Sequence, residues 1–308
     1  MIASSQQGNW PGPVTAQQRP LDPSPAALGE LRRTDARTDA GEMRNRLAED
    51  GYLFLPGYLD REEALGARRD VLDRMASQGW GQSGNEPGRT LAGGARPSLL
   101  SDLAKQSRPL QELLYGQRTT ILYERLFGEA VRHFDYTWLR AVSPGRGTKP
   151  HMDSVFMNRG TPRLLTAWVP LGDINTVLGG LAILEGSHRL EDIKNNYGSR
   201  DVDTFCKNRP DAGKYARQET MTWDGALSSD PVSLREQLGL RWLTNDYRAG
   251  DLLTFSMHTA HIGLDNNADY LRLSCDIRYQ SANEPVDPRW IGPDPSAHGS
   301  RSKVGVIC

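Results

Sequence analysis

The stretch Thr148-Lys149-Pro150-His151-Met152-Asp153 places two metal-capable side chains two residues apart. In extended backbone, residues i and i+2 project from the same face, so the His151 imidazole and the Asp153 carboxylate can aim at one point while Met152 turns away. A second histidine, His261, follows near the C-terminus, and Arg272 lies beyond it. Two imidazoles and one carboxylate are the protein ligands of a mononuclear non-haem iron site, and a fixed arginine beside them can hold an acidic co-substrate. The set points to an oxygenase.

Working outward, Gly250 to Ser256 reads as a turn followed by a strand. Tyr270 to Tyr279 sets Leu271, Leu273, Cys275, Ile277 and Tyr279 against Arg272, Ser274, Asp276 and Arg278, the alternation of a strand. Between them Asp265-Asn266-Asn267-Ala268 has the chemistry of a tight turn. A hairpin centred on the Asn266–Asn267 bond would oppose His261 and Arg272 directly, with their Cβ atoms roughly 5 Å apart on one face. The guanidinium could then reach past the metal ligand and fork onto a carboxylate. His258 competes with His261 as the distal ligand, but an offset of three residues puts the two on opposite faces of an extended chain, and the register favours His261.

With these residues in view, the chain from about Gly51 to Gln280 resembles the phytanoyl-CoA dioxygenase-like family of iron(II)- and 2-oxoglutarate-dependent oxygenases. The resemblance is carried by Gly51-Tyr52-Leu53-Phe54-Leu55-Pro56-Gly57, by His151 and Asp153, and by Trp168-Val169-Pro170-Leu171-Gly172-Asp173 leading to Gly179-Gly180-Leu181-Ala182-Ile183-Leu184-Glu185-Gly186-Ser187-His188. It continues in Gly250-Asp251-Leu252-Leu253-Thr254-Phe255 ahead of His261 and Arg272. It implies a mainly β fold with flanking helices, a double-stranded β-helix or jelly roll. It also implies iron(II) on His151, Asp153 and His261, and dioxygen and 2-oxoglutarate as co-substrates. By the same resemblance Arg272 binds the distal carboxylate of 2-oxoglutarate and Trp168 lines that pocket. The hydroxyl residue common two positions after the distal histidine is here Gly263, so one co-substrate hydrogen bond is expected from Ser274 instead. The implied reaction oxidises a small molecule, hydroxylation being the default, while 2-oxoglutarate is decarboxylated to succinate. The carboxylate of Asp153 argues against a halogenase, which would leave that position to halide.

Bulk properties agree with an enzyme in solution. The 308 residues carry 37 basic and 38 acidic side chains, which offers no electrostatic footprint for nucleic acid or an anionic membrane. No apolar run reaches membrane-spanning length and the first residues lack the pattern of a secretion signal, so a cytoplasmic protein is expected. Cys206, Cys275 and Cys308 are scattered without metal-type spacing and read as free thiols.

The organisation expected is a flexible tail over residues 1–40, rich in Pro, Gln, Ser and Ala, then one oxygenase domain over 41–285 and a C-terminal extension over 286–308. Helices are predicted from Gly41 to Asp50, from Asp60 to Gly79, and from Pro109 to Phe127; short strands follow from Phe134 onward. Residues 189–247, long, polar and lying between motif blocks, are expected to form a lid or insertion. Arg140, Tyr136 and Trp138 precede the metal pair on alternating faces and are candidates for substrate contact; His188 reads as structural.

Each role has a plainer competitor. A lone His151 is more often a surface or core imidazole, a strand tryptophan such as Trp168 is often plain core, and Arg272 could point outward. Zinc also suits two histidines and a carboxylate, as in a hydrolase, but no His-Glu-x-x-His helix occurs and Arg272 would have no task. A non-catalytic binding module that keeps the fold and the metal is the other alternative. The identity of the substrate is not encoded in any motif.

Overall fold

The computed structural model describes residues 10–80, 82–83, 90–91, 99–203 and 223–298. Residues 1–9 of the expected tail, 204–222 of the expected lid and 299–308 of the expected extension lie outside them.

All ten residues of the strand Arg272–Ser281 are buried, although every second one is polar. Leu273, Cys275, Ile277 and Tyr279 pack into the core formed with the helices. Arg272, Ser274, Asp276, Arg278 and Gln280 must then occupy the other face, since successive strand side chains alternate. A strand buried on both faces needs cover on both. The six-stranded sheet that contains it runs Tyr52–Leu55, Leu252–Ser256, Leu164–Pro170, Arg272–Ser281, and ends with Val131–His133 and Trp138–Val142 sharing the last strand's far edge. The second sheet, five-stranded, runs Leu28–Glu30, Trp242–Thr244, Leu181–Leu184, His261–Gly263, Thr148–His151. Tyr52, Phe54, Trp168, Leu253 and Phe255 of the first meet Leu181, Ile183 and Leu243 of the second in one cluster, so the sheets face each other.

Helices cover the outer face of the six-stranded sheet. Ala40–Asp50 is capped by the Asp39 carboxylate, which accepts from the Gly41 and Glu42 amides, and ends at Gly51 in a left-handed conformation, φ 78°. Asp60 caps Arg61–Ser77 in the same way, and its Ala64, Ala67, Val71 and Met75 form the buried stripe that the sequence spacing predicts. The single helix expected from Pro109 to Phe127 is two, Arg108–Tyr115 and Gln117–Phe127. Gly116, extended at φ −69°, ψ 173°, separates them, and its amide closes the first on Glu112. Among the described residues no helix is long and apolar enough to cross a membrane.

Three further expectations need correction. Order begins well before Ala40: Leu28–Glu30 adds in parallel to Trp242–Thr244, and Val14, Ala16, Leu21 and Leu28 are buried against Trp242 and Ile262. Compositional bias suggested a tail because the apolar residues of this strap are isolated; they find a partner only in tertiary structure. The predicted hairpin does not form. His261 pairs with Ile183 on one side and His151 on the other, whereas Arg272 pairs with Val142 in the opposite sheet. The turn residues instead build a crossing between sheets. Asn266 Nδ2 donates to the carbonyls of Val142 and Tyr270 at 3.1 and 2.7 Å, and Asp265 accepts from the amides of Gln17 and Gln18. Finally, residues 286–298 pack on the body, with Arg289 and Trp290 buried, and Trp242–Thr244 of the expected insertion is a sheet strand.

The strap supplies a stability test. Leu28→Ala should cost about 2–5 kcal/mol in urea unfolding, the usual range for truncating a buried leucine. A change within about 0.5 kcal/mol, typical of exposed positions, would restore the tail reading.

Candidate metal centre

His151 ends one strand, His261 begins its neighbour, and the two are direct register partners, which holds their rings 4.2 Å apart centre to centre. Asp153 opens the 3-10 turn Asp153–Val155 just after His151. One potential ligand atom from each of the three lies within 4.8 Å of the others. His151 Nδ1 sits 2.7 Å from the Lys149 carbonyl and His261 Nδ1 3.0 Å from that of Thr259. A carbonyl oxygen only accepts, so each Nδ1 carries the hydrogen and each Nε2 keeps its lone pair for a metal. Burial, reinforced by the neighbouring His261, pushes the His151 pKa down to about 3. Burial likewise lowers that of His261, so both rings are neutral donors near pH 7.

Burial alone would raise the Asp153 pKa, but Arg278, the two imidazoles and the Thr166 hydroxyl together hold it below the usual carboxylate range. Oδ2 accepts from Thr166 Oγ1 at 2.5 Å and from Arg278 Nη2 at 2.9 Å. Oδ1 lies on the ligand side, 3.9 Å from His261 Nε2. His258, the rival ligand, is half-buried and outside this cluster.

A narrow cavity beside the triad is lined by His151, His261, Arg272, Trp168, Thr148, Phe255, Arg140 and Asp276. Arg272 is 2% exposed, yet among the described residues no carboxylate lies within ion-pair distance of it. Its Nη1 donates to the carbonyl of Gly179 and, at 3.4 Å, to that of Gly180, and its Nε has no hydrogen-bond partner. Burial first, then the nearby Arg140, pushes its pKa down to about 10. Trp168 lies in the cavity wall with its ring 4.7 Å from Tyr247. Ser274 is on the same strand face as Arg272, fully buried, with its hydroxyl unpartnered, although it does not reach the cavity lining. The hydroxyl missing at Gly263 has a nearer substitute. Thr148 stands opposite Gly263, and its Oγ1 lies 2.9 Å from where a Gly263 Cβ would be.

A larger cavity of about 500 Å³ opens above His151 and Asp153, walled by Leu99, Trp138, Phe156 and Met157, with Arg146 and Lys149 among its polar residues. Of the three expected contacts, Arg140 and Trp138 line it; Tyr136 packs on Trp138 and Trp290 instead. Asp224 and Ala226 of the expected lid reach it, as does His298. A separate surface cleft of about 1140 Å³ near Arg33, Arg61, Asp173 and Arg248 is lined by none of the triad residues. His188 is structural, its Nε2 donating to the Ala48 carbonyl.

Sequence reasoning passed over Thr148, Thr166, Asp276 and Arg278. Period two from Arg272 gives Asp276 and Arg278 at once, provided that the polar face of the strand is recognised as the inner one. The two threonines carry no comparable signal.

The chain matches the phytanoyl-CoA dioxygenase (PhyH) family over residues 47–274. A 1-deoxypentalenic acid 11-beta-hydroxylase of Streptomyces arenae is 28% identical over 83% of this chain and 86% of its own. Its counterpart from Streptomyces exfoliatus is 24% identical over 84% and 87%. Among solved structures, the non-haem alpha-ketoglutarate-dependent carbocyclase SnoK from nogalamycin biosynthesis superposes with TM-score 0.59 at 18% identity, covering 90% of this chain and 96% of that one. The epimerase SnoN in complex with Fe3+, alpha-ketoglutarate and nogalamycin RO does so with TM-score 0.57 at 23% identity, over 83% and 92%.

The three ligand positions can be separated from the rival by titration. Alanine at His151, Asp153 or His261 should weaken iron(II) binding by about tenfold or more, because each removes a donor from one point. His258→Ala should bind as wild type does; the reverse result for His258 and His261 would reassign the distal ligand.

Proposed function

The chain belongs to the phytanoyl-CoA dioxygenase family, and from that premise we propose a specific division of labour in an iron(II)- and 2-oxoglutarate-dependent dioxygenase. His151 Nε2, Asp153 Oδ1 and His261 Nε2 hold the iron; Arg272 takes the distal carboxylate of 2-oxoglutarate; Trp168 and Thr148 complete that pocket. The two facing sheets are read as a double-stranded β-helix, and the segment around Asp224 and Ala226 as part of the cover of the larger cavity.

One observation carries this reading: a fully buried guanidinium beside the triad with no carboxylate of the described residues within ion-pair distance. Leaving a cation unpaired in a protein interior costs several kcal/mol, so such a group marks the place of an anion supplied from outside. Its planar fork suits a carboxylate, and the short distance to the ligands suits a small diacid that also reaches the metal. The neutral imidazoles and the ionised Asp153 are the donor set that iron(II) accepts.

With iron(II) and 2-oxoglutarate bound, dioxygen is activated at the cost of decarboxylating the co-substrate to succinate, and the substrate is oxidised. The protein positions the partners and excludes water. Backbone carbonyls of Lys149 and Thr259 fix the two rings, while Trp168, Phe255 and Leu181 supply the apolar part of the narrow cavity's wall. The substrate reading is a small molecule whose apolar skeleton rests on Trp138, Phe156 and Met157, hydroxylated at a carbon over the metal. Arg146, which forms no ion pair among the described residues, supports an anionic group on it. The two hydroxylases named for 1-deoxypentalenic acid support that class, and that acid is the first compound to offer.

Co-substrate turnover tests the assignment without a known substrate. Purified protein with iron(II), ascorbate and oxygen should form succinate above a metal-free control. Arg272→Ala should raise the 2-oxoglutarate concentration needed by about a hundredfold or more, the scale set by unpairing a buried ion. Excess 2-oxoglutarate should partly restore turnover, and Arg272→Lys, which keeps the charge and loses the fork, should fall between. Iron-loaded wild-type protein that neither binds 2-oxoglutarate nor forms succinate would instead indicate a binding module.

A further inference from the structure

Asp153 offers two oxygens, and both of its side-chain donors converge on the same one. Thr166 and Arg278 are direct register partners on adjacent strands, so their side chains emerge side by side on the inner face of the sheet. Thr166 Oγ1 and Arg278 Nη2 each donate to Oδ2, at 2.5 and 2.9 Å. Oδ1 receives no hydrogen bond among the described residues. Arg278 has little freedom to leave: it is 2% exposed, its guanidinium carbon lies 4.1 Å from the centre of the Trp138 ring, and its Nη1 lies 3.6 Å from Asp276.

We infer that Thr166 and Arg278 act as a two-point clamp that restricts Asp153 to one-oxygen metal coordination and thereby keeps a coordination position open. The inference rests on the iron and 2-oxoglutarate reading of the site. Its chemical basis is general. A carboxylate beside a hard dication can bind through one oxygen or both. Two imidazoles, two co-substrate oxygens and two carboxylate oxygens would complete an octahedral ion and leave nothing for dioxygen. With Oδ2 committed to two donors, only Oδ1 turns to the metal. Arg278 stands 3.6 Å from Asp276 and borders the larger cavity, but neither it nor Thr166 is part of the narrow cavity's lining, so both are positioning residues acting through Asp153.

A plainer role for Arg278 is charge compensation of a buried carboxylate. The two roles diverge at Thr166, which contributes a hydrogen bond and no charge. Nitric oxide, a stable probe of the position open to dioxygen, distinguishes them when titrated against protein loaded with iron(II) and 2-oxoglutarate without oxygen. Arg278→Met should bind nitric oxide about tenfold more weakly, the lower end of what loss of a ligand's hydrogen-bonding partner does. Thr166→Val, which keeps Arg278 and adds no strain, should shift in the same direction by less. Arg278→Lys should recover part of the loss. Nitric oxide affinity unchanged in both Arg278→Met and Thr166→Val, with iron and 2-oxoglutarate bound, overturns the clamp. So does an effect confined to Arg278→Met, since that outcome assigns Arg278 to charge compensation. Wild-type protein that takes up neither iron nor 2-oxoglutarate fails at the earlier step and removes the functional reading together with the clamp.

Discussion

Asp153 is a carboxylate withdrawn from water, and the arrangement of both sheets answers to that one charge. An unpaired ion there would cost several kcal/mol, a large part of the stability of an ordinary domain. Its hydrogen-bond partners, the Thr166 hydroxyl and the Arg278 guanidinium, come from neighbouring strands of the six-stranded sheet, while the rings of His151 and His261 that share the site come from the five-stranded one. Leu164–Pro170 and Arg272–Ser281 must therefore keep their register. A slip of one residue would turn Arg278 toward the helices and carry Ile277 or Tyr279 into the metal site. The helical layer has the complementary task. It receives Leu273, Cys275, Ile277 and Tyr279, and so makes the polar face the inner one.

Local chemistry was legible in the sequence wherever a residue acts through near neighbours. His151 and Asp153 share a face because they lie two apart, Asp60 caps a helix by bonding the amides just ahead of it, and the alternation from Leu271 to Tyr279 identifies a strand without reference to the rest of the fold. The family resemblance carried the distal ligand and Arg272. What the sequence concealed is long-range. Asp265 and Asn266 look like the tip of a hairpin, yet their side chains bond to Gln17, Gln18 and Val142, partners that no window around them contains. Leu28 looks like part of a tail until Trp242 is beside it. The expected direct pairing of His261 with Arg272 is not made, although both line one cavity. They approach across the gap between sheets, where Gly263 leaves room: a Cβ there would lie 3.7 Å from Arg272 Nη2.

The inner face of Arg272–Ser281 shows how one strand can serve binding and support at once. Arg278 is matched by Asp153, and Asp276 is matched by Arg140, whose Nε and Nη2 both donate to it. Arg272 alone of these three guanidiniums has no carboxylate of the described residues within ion-pair distance. Two buried guanidiniums and the half-buried Arg140 therefore stand against two buried carboxylates in this group before any ligand arrives. Iron(II) adds two positive charges a few ångströms away, in a medium where charges are poorly screened. The deficit of negative charge is then largest at the mouth of the Arg272 pocket, and a dianion such as 2-oxoglutarate largely offsets it. On the proposed assignment, metal binding and co-substrate binding are coupled through this field, each raising the affinity for the other by the same factor, as linkage requires. The proposed asymmetry between Arg272 and Arg278 follows from the same accounting: the arginine with a resident carboxylate would orient a ligand, and the arginine without one would take its anion from solution.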